Sequence, residues 1–322
     1  MRAMVSLPRN NLSLSRSLCR SVSANRAIAE KVTGEVTDKV GSGLRYLYLL
    51  GILLLPELSE AASTLFARTN LVAWCIVPFD AKKRGPEERA QMLKSLGLQK
   101  LAYDWRAEHI PTFDAEVEAS KRYGIELTAW WFPTTLDADA KRILEVIARH
   151  KIQPQLWVMG GGGKDGVDQE KRVASEAARI RPIADAAAKL NCKVGLYNHG
   201  GWFGQPENQI AIIKALGTAN VGIVYNFHHG HEHIERFREL FRLMQPYLLC
   251  INLNGMIKKG DERSQKIVHL AEGTEEAAMI KIVEQSGWRG PVGIIDHRPE
   301  TDSEETLRRN LLGLEKLLPH SR

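Results

Sequence analysis

Eight short apolar runs separated by amphipathic stretches predict a (β/α)8 TIM barrel over residues 71–318. Three observations carry this. The runs are apolar throughout rather than alternating, as parallel strands covered on both faces are. Eight strand–helix units in about 250 residues match the usual size of such a barrel. Polar side chains also gather where the runs end, the side on which barrels and open α/β sheets carry their chemistry. A doubly wound open sheet shares the alternation and is the runner-up.

Taken in order, the strand candidates are Val72–Val77, Gln99–Tyr103, Glu126–Trp131, Gln155–Met159, Lys193–Asn198, Val221–Asn226, Tyr247–Asn252 and Pro291–Asp296. The intervening helices show matching periods and boundaries. Ile234, Phe237, Leu240, Phe241 and Met244 form one stripe at helical spacing. The last helix opens on the acidic turn Asp302-Ser-Glu-Glu305, which suits the helix dipole, and presents Leu307, Leu311 and Leu314 for burial. Pro111 and Pro206 occupy expected first-turn positions, where a missing N–H is harmless.

Residues 1–44 are rich in Ser and Arg and read as an extension without a packed core. In the stretch 45–70, Tyr46–Leu55 is too short to span a bilayer as a helix. It resembles a signal-peptide core, and Ser59-Glu60-Ala61 offers small residues where a signal peptidase reads. The favoured expectation is an exported protein, periplasmic or secreted, whose mature chain starts near Ala62 and has no integral membrane span. N-terminal sequencing reads this directly. The alternative is a cytoplasmic protein with an amphipathic segment under the barrel. Residues 319–322 form a tail.

The formal charge of +6 is unevenly placed. Residues 1–70 hold nine basic and five acidic side chains, and the remaining 252 hold 35 and 33. A barrel so close to neutral lacks the basic excess of a nucleic-acid binder, so no nucleic-acid partner is expected. Cys75, Cys192 and Cys250 sit inside apolar runs, Cys19 lies in the extension, and no CxxC spacing occurs; core cysteines are expected.

The strand ends supply a polar rim. It comprises Asp80; Asp104 beside Tyr103 and Trp105; Trp130-Trp131; Gly160–Gly163 with Lys164; Asn198-His199; Asn226 with His228, His229 and His231; Asn252 and Asn254; and Asp296-His297. Aromatic faces pack on the C–H surface of a polyol while amides and imidazoles bond its hydroxyls, so a small-molecule carbohydrate is the expected partner. Adjacent Trp130 and Trp131 point to opposite faces of a strand, and Trp131 is assigned to the pocket. The run His228-His-Gly-His-Glu-His233 reads equally as a solvated loop with one functional histidine. The glycine run lacks the ending of a phosphate-binding loop and reads as a flexible loop or an anion nest.

The ordered set Asn198-His199-Gly-Gly201, Val221-Gly-Ile-Val-Tyr-Asn226-Phe-His-His229, Leu249-Cys-Ile-Asn252-Leu-Asn254 and Gly290-Pro-Val-Gly-Ile-Ile-Asp296 resembles the xylose isomerase-like TIM barrels. These form the sugar-phosphate isomerase/epimerase superfamily, which also holds metal-dependent abasic-site endonucleases. The resemblance implies one divalent metal held by Glu, Asp, His and Glu after strands five to eight, with a further His three residues beyond the Asp. On this chain those ligand positions fall on Tyr197, Asn226, Asn252 and Asp296, with the companion His at His229. Three neutral replacements weaken a hard-ion site. The sequence therefore commits to no cofactor, leaving zinc, manganese or cobalt open through an alternative set of His199, His229 and Asp296.

The leading functional expectation is an isomerase or epimerase of a sugar or keto-sugar that moves a proton next to a carbonyl. Asp296 is its base, and His199 or His229 polarises the carbonyl. Substrate contacts are assigned to Asn198, Asn226, Asn252, Asn254, Trp131 and Asp104. The alternatives are a non-catalytic carbohydrate-binding barrel, or a related sugar lyase or hydrolase.

Overall fold

The computed structural model describes residues 65–161, 168–295 and 297–318. The proposed extension and signal-like segment up to residue 64, the loop residues Gly162, Gly163 and Lys164, Asp296 and the tail lie outside these. Within them the chain forms a closed parallel barrel of eight strands in sequential order. The strands are β1 Leu71–Trp74, β2 Lys100–Tyr103, β3 Glu126–Phe132, β4 Gln155–Val158, β5 Val194–Tyr197, β6 Val221–Asn226, β7 Leu248–Leu253 and β8 Val292–Ile295. The β1–β8 pairing, Val72 opposite Gly293, closes the ring. The open-sheet alternative is thereby excluded.

The helices that cover the strands are α1 Pro86–Ser95, α2 Phe113–Tyr123, α3 Ala138–His150, α4 Gln169–Ala188, α5 Pro206–Leu216, α6 Phe237–Met244, α7 Glu276–Gln285 and α8 Ser303–Leu317, and a single short turn of helix, Gly201–Gly204, precedes α5. Their starts follow local chemistry. Asp137, Asp168 and Asp302 each accept a hydrogen bond from a first-turn N–H, as N-cap side chains do. Pro206 takes the first-turn position of α5 as expected. Pro111 does not, because it lies inside a 3-10 turn, Ala107–Thr112, and α2 begins only at Phe113. Likewise the periodic run from Ile234 starts as 3-10, and its α-helical part begins at Phe237.

Alternation along each strand divides the core in two. Outward-facing residues such as Leu101, Trp130, Leu156 and Leu196 pack beneath the helices. Inward-facing ones, among them Trp74, Ala129, Trp157, Tyr197, Val224 and Cys250, fill the barrel. Gly195 makes room for the large ones: a Cβ there would overlap Val224 and come within 3.0 Å of the Trp157 ring. Packing extends ahead of β1, since Leu65 and Phe66 are buried and Asn70 Nδ2 donates to Leu65 O and Gly290 O at 2.8 and 3.0 Å. Cys75, Cys192 and Cys250 are all free and buried, as expected for core cysteines. Among the described residues no helix is long and apolar enough to cross a membrane.

Candidate active site

The floor of the site is aromatic. Inward alternation brings Trp74 at the end of β1, Trp157 in β4 and Tyr197 at the end of β5 together inside the barrel. The Trp74 ring lies 4.8 Å from Trp157 and 5.8 Å from Tyr197. Trp131 lies above them, 5.6 Å from Trp74 and 5.1 Å edge-on from Tyr197, while Trp130 faces the helices. Parity thus places Trp131 inside and Trp130 outside.

Tyr197 reaches across the lumen. Its hydroxyl accepts a hydrogen bond from Trp74 Nε1 at 3.1 Å and a very short one from Asn226 Nδ2. The Asn226 amide cannot be turned round, because its Oδ1 already accepts from the His228 backbone N–H at 3.0 Å, capping the 3-10 turn Phe227–His229. Asn198 is tied to the same place. Its Oδ1 accepts from Asn226 N at 2.7 Å and its Nδ2 donates to Asn226 O at 3.1 Å, clamping the ends of β5 and β6.

Above this floor runs an arc of imidazoles. His199 is exposed and packs 4.4 Å from His229; His229 lies 4.5 Å from His228, and His228 lies 5.1 Å from His297. Phe79 stacks on His297 at 4.1 Å, and the Arg106 guanidinium lies over Phe79 at 5.5 Å. Burial disfavours the charged form of all four rings, helped by neighbouring positive charge that includes Lys266. It takes His228 down to about 3, His229 well below the histidine range, and His199 and His297 below their usual value. Neutral imidazoles therefore line the mouth at physiological pH. The Nδ1 atoms of His228 and His229 are buried with no hydrogen-bond partner among the described residues.

The His228–His233 run is not a solvated loop. Each of its histidines is buried, and two have structural roles: His231 bonds the carbonyls of Ile257 and Lys266, and His233 joins Tyr225 OH to Gln205. Asp80 also leaves the rim. β1 stops at Trp74, and Cys75, at φ 56°, turns the chain outward. Asp80 then pairs with Arg84 and accepts from Ser303 N, tying the β1 loop to α8.

The remaining rim amides are fully buried. Asn252 faces Gly293, where a Cβ would overlap the Asn252 Oδ1. Its Nδ2 has no partner among the described residues. Asn254 donates to the carbonyls of Gly255 and Lys266, leaving its Oδ1 without one.

Asp104 is buried at the end of β2. Its Oδ1 accepts from Val77 N at 3.3 Å and its Oδ2 has no partner among the described residues. Burial, only partly offset by the Arg106 charge, pushes its carboxyl up to about 7. Between about pH 4, where an unfolded-chain Asp ionises, and about pH 7, the folded chain keeps a proton that the unfolded chain has released. Stability from this group is therefore lost as pH rises through that window. Asp104→Asn is expected to raise stability at pH 8 relative to pH 5 by roughly 2–3 kcal/mol, measured by denaturant unfolding at both values. Equal changes at the two pH values would remove the assignment. The imidazoles slope the opposite way, losing stability as pH falls below their unfolded value near 6.5.

Residues 80–317 match the family model described as xylose isomerase-like TIM barrel. The chain belongs to this family. Among solved members of the fold, 3-keto-D-glucoside 4-epimerase from E. coli superposes with a TM-score of 0.59 at 13% identity, covering 77% of this chain and 98% of that one. D-Psicose 3-epimerase gives 0.56 at 15%, covering 76% and 96%. The IOLI protein, solved with a bound zinc atom, gives 0.57 at 14%, covering 76% and 97%. A probable 3-DHS dehydratase from Bacillus anthracis and a family 2 AP endonuclease from Brucella melitensis share the fold. At these identities the likeness is one of fold. No curated protein matches the chain.

The described residues do not fit the metal that the xylose isomerase-like family implies. Three of its four ligand positions carry neutral side chains, and Asn226 and Tyr197 are bonded to each other rather than directed at a common point. Among the described residues no group of three or more His, Cys, Asp or Glu converges as a metal site. The alternative set has His199 and His229 together, with its third member, Asp296, outside the described residues.

The sequence passed over Trp74, and marked Tyr197 only as a family ligand position and His228 only as a rim residue. The available signal was parity: Trp74, Tyr197 and Asn226 each end a strand facing inward. Nothing in the sequence marked Phe79 or Arg106, which reach the mouth from loops.

Proposed function

We propose that the chain is an isomerase or epimerase of a keto-sugar, moving a proton on a carbon next to the carbonyl. The observation that supports it is the arc of neutral imidazoles around the barrel mouth, with His199 exposed to act as a base. His229, with its charged form suppressed, acts as a neutral hydrogen-bonding group. Asp296, which follows β8 in the chain, is assigned as the second proton-transfer group. Trp131 and the Asn252 and Asn254 amides are assigned to the sugar. If the protein is exported, a free or oxidised sugar fits better than a phosphorylated one.

A second reading, a non-catalytic carbohydrate-binding barrel, draws on the neutral Tyr197–Asn226 bond at the family's ligand positions. Amides and phenols bond hydroxyls well and move protons poorly. Proton NMR in deuterium oxide with a panel of aldoses, ketoses and 3-keto-sugars separates the two. Deuterium entering one carbon is the expected result, and saturable binding without exchange would replace the first reading by the second.

A further inference from the structure

We infer that the Tyr197 hydroxyl donates its hydrogen bond to the carbonyl oxygen of the bound sugar and is the neutral electrophile of the site. The substrate class rests on the proposed function, whereas the donor geometry does not. The argument is one of hydrogen-bond accounting. Indole Nε1 can only donate, so Trp74 donates to the Tyr197 oxygen. Asn226 Oδ1 is held by a backbone N–H, so its Nδ2 end must face Tyr197 and also donates. A phenol oxygen carries two acceptor positions and one hydrogen. Both acceptor positions are taken, and no acceptor for the hydrogen is found among the described residues.

That hydrogen belongs to a floor residue only 2% exposed, whose ring lies 5.7 Å from His229 and 6.3 Å from His199 at the mouth. A phenol ordinarily ionises near pH 10, so at neutral pH Tyr197 keeps its proton and acts as a donor. The aromatic floor fixes the ring from several sides, so the donor is preorganised.

In the step this serves, a base such as His199 takes the proton from the carbon next to the carbonyl. The C–H pair becomes the new C=C bond, and the carbonyl π pair moves onto oxygen. The developing oxyanion then receives the Tyr197 hydrogen bond. Reprotonation at carbon restores the carbonyl.

The test uses the full chain in the presence of EDTA, with dihydroxyacetone and erythrulose labelled with ¹³C at the carbonyl. Their open-chain carbonyls report hydrogen bonding directly. The bound carbonyl resonance should lie downfield in the wild type relative to Tyr197→Phe. Asn226→Asp provides a second arm that keeps the phenol. A carboxylate oxygen only accepts, so it should draw the Tyr197 hydrogen away and abolish the same shift.

Where the wild type exchanges the neighbouring hydrogen for deuterium, both variants should slow exchange by roughly 10²–10³-fold, the usual effect of losing an oxyanion donor, with affinity changed less than the rate. A shift that disappears in both variants without exchange in the wild type upholds the donor and removes the proposed function. Exchange that persists, with an unchanged shift in either folded variant, overturns the donor and leaves the proposed function standing. Failure of both ketoses to bind the wild type saturably also overturns it.

Discussion

His199→Gln and Asp296→Asn are each expected to lower proton exchange roughly 10²–10⁴-fold, the usual effect of removing a general base. Both swaps keep size and hydrogen-bonding reach while removing the basic lone pair. His199 is exposed at the rim and makes ring contacts with Tyr197 and His229 rather than core packing, so its replacement should leave the unfolding midpoint nearly unchanged. Partial burial and the Lys266 charge hold its imidazolium form below the ordinary range, which gives the pH profile a definite shape. The base works unprotonated, so exchange should rise with pH through a value below 6.5 and stay level above it. Deuterium incorporation across pH 4–8, with thermal unfolding on the same preparations, measures both. Full exchange in either variant beside an active wild type would end that residue's assignment, and a large fall in melting temperature for Asp296→Asn would mark it as structural.

The barrel was legible because strand parity and helix caps are local signals. Gly222-Ile-Val-Tyr225 reads as a strand buried on both faces, and Asp302 with the acidic turn after it as a helix start. Strand ends were less legible. The run Val72–Val77 is apolar throughout, yet pairing stops at Trp74 because Cys75 adopts a left-handed backbone that nothing in its side chain announces. That turn takes Asp80 off the rim, where Arg84 and the start of α8 capture it.

The site was half legible. Asn226 and His229 were visible as an amide and an imidazole at a strand end, but their orientation depends on partners distant in sequence. The Asn226 amide is aimed by Tyr197, 29 residues earlier, and by the His228 backbone. The histidine run illustrates the limit: polarity suggested solvent, while carbonyls from the loop after β7 and the Tyr225 hydroxyl draw His231 and His233 into the interior.

Replacing Glu116 by Leu is expected to destabilise the barrel by about 3–5 kcal/mol, the range for a buried ion pair that loses one partner. Arg89 in α1 and Glu116 in α2 are 3% and 1% exposed and form a very short ion pair, with the second guanidinium nitrogen on Arg84 O. Removing the acid strands a guanidinium where water cannot solvate it, and its Nε already has no partner. A guanidinium cannot readily escape the penalty by losing its proton, since its ordinary pKa lies above 12. The double variant Arg89→Met with Glu116→Leu removes both charges and should recover most of the loss, because well-packed apolar side chains commonly match a buried pair. The same cluster also touches the site. Arg84, which holds Asp80, offers its carbonyl to Arg89, so a stranded Arg89 should disturb the β1 loop that carries Phe79 to His297. Urea unfolding of the wild type, both single variants and the double variant measures the coupling. A Glu116→Leu loss below about 1 kcal/mol, the level of an exposed pair, would show that water reaches the pair and that α1 and α2 are not locked by it.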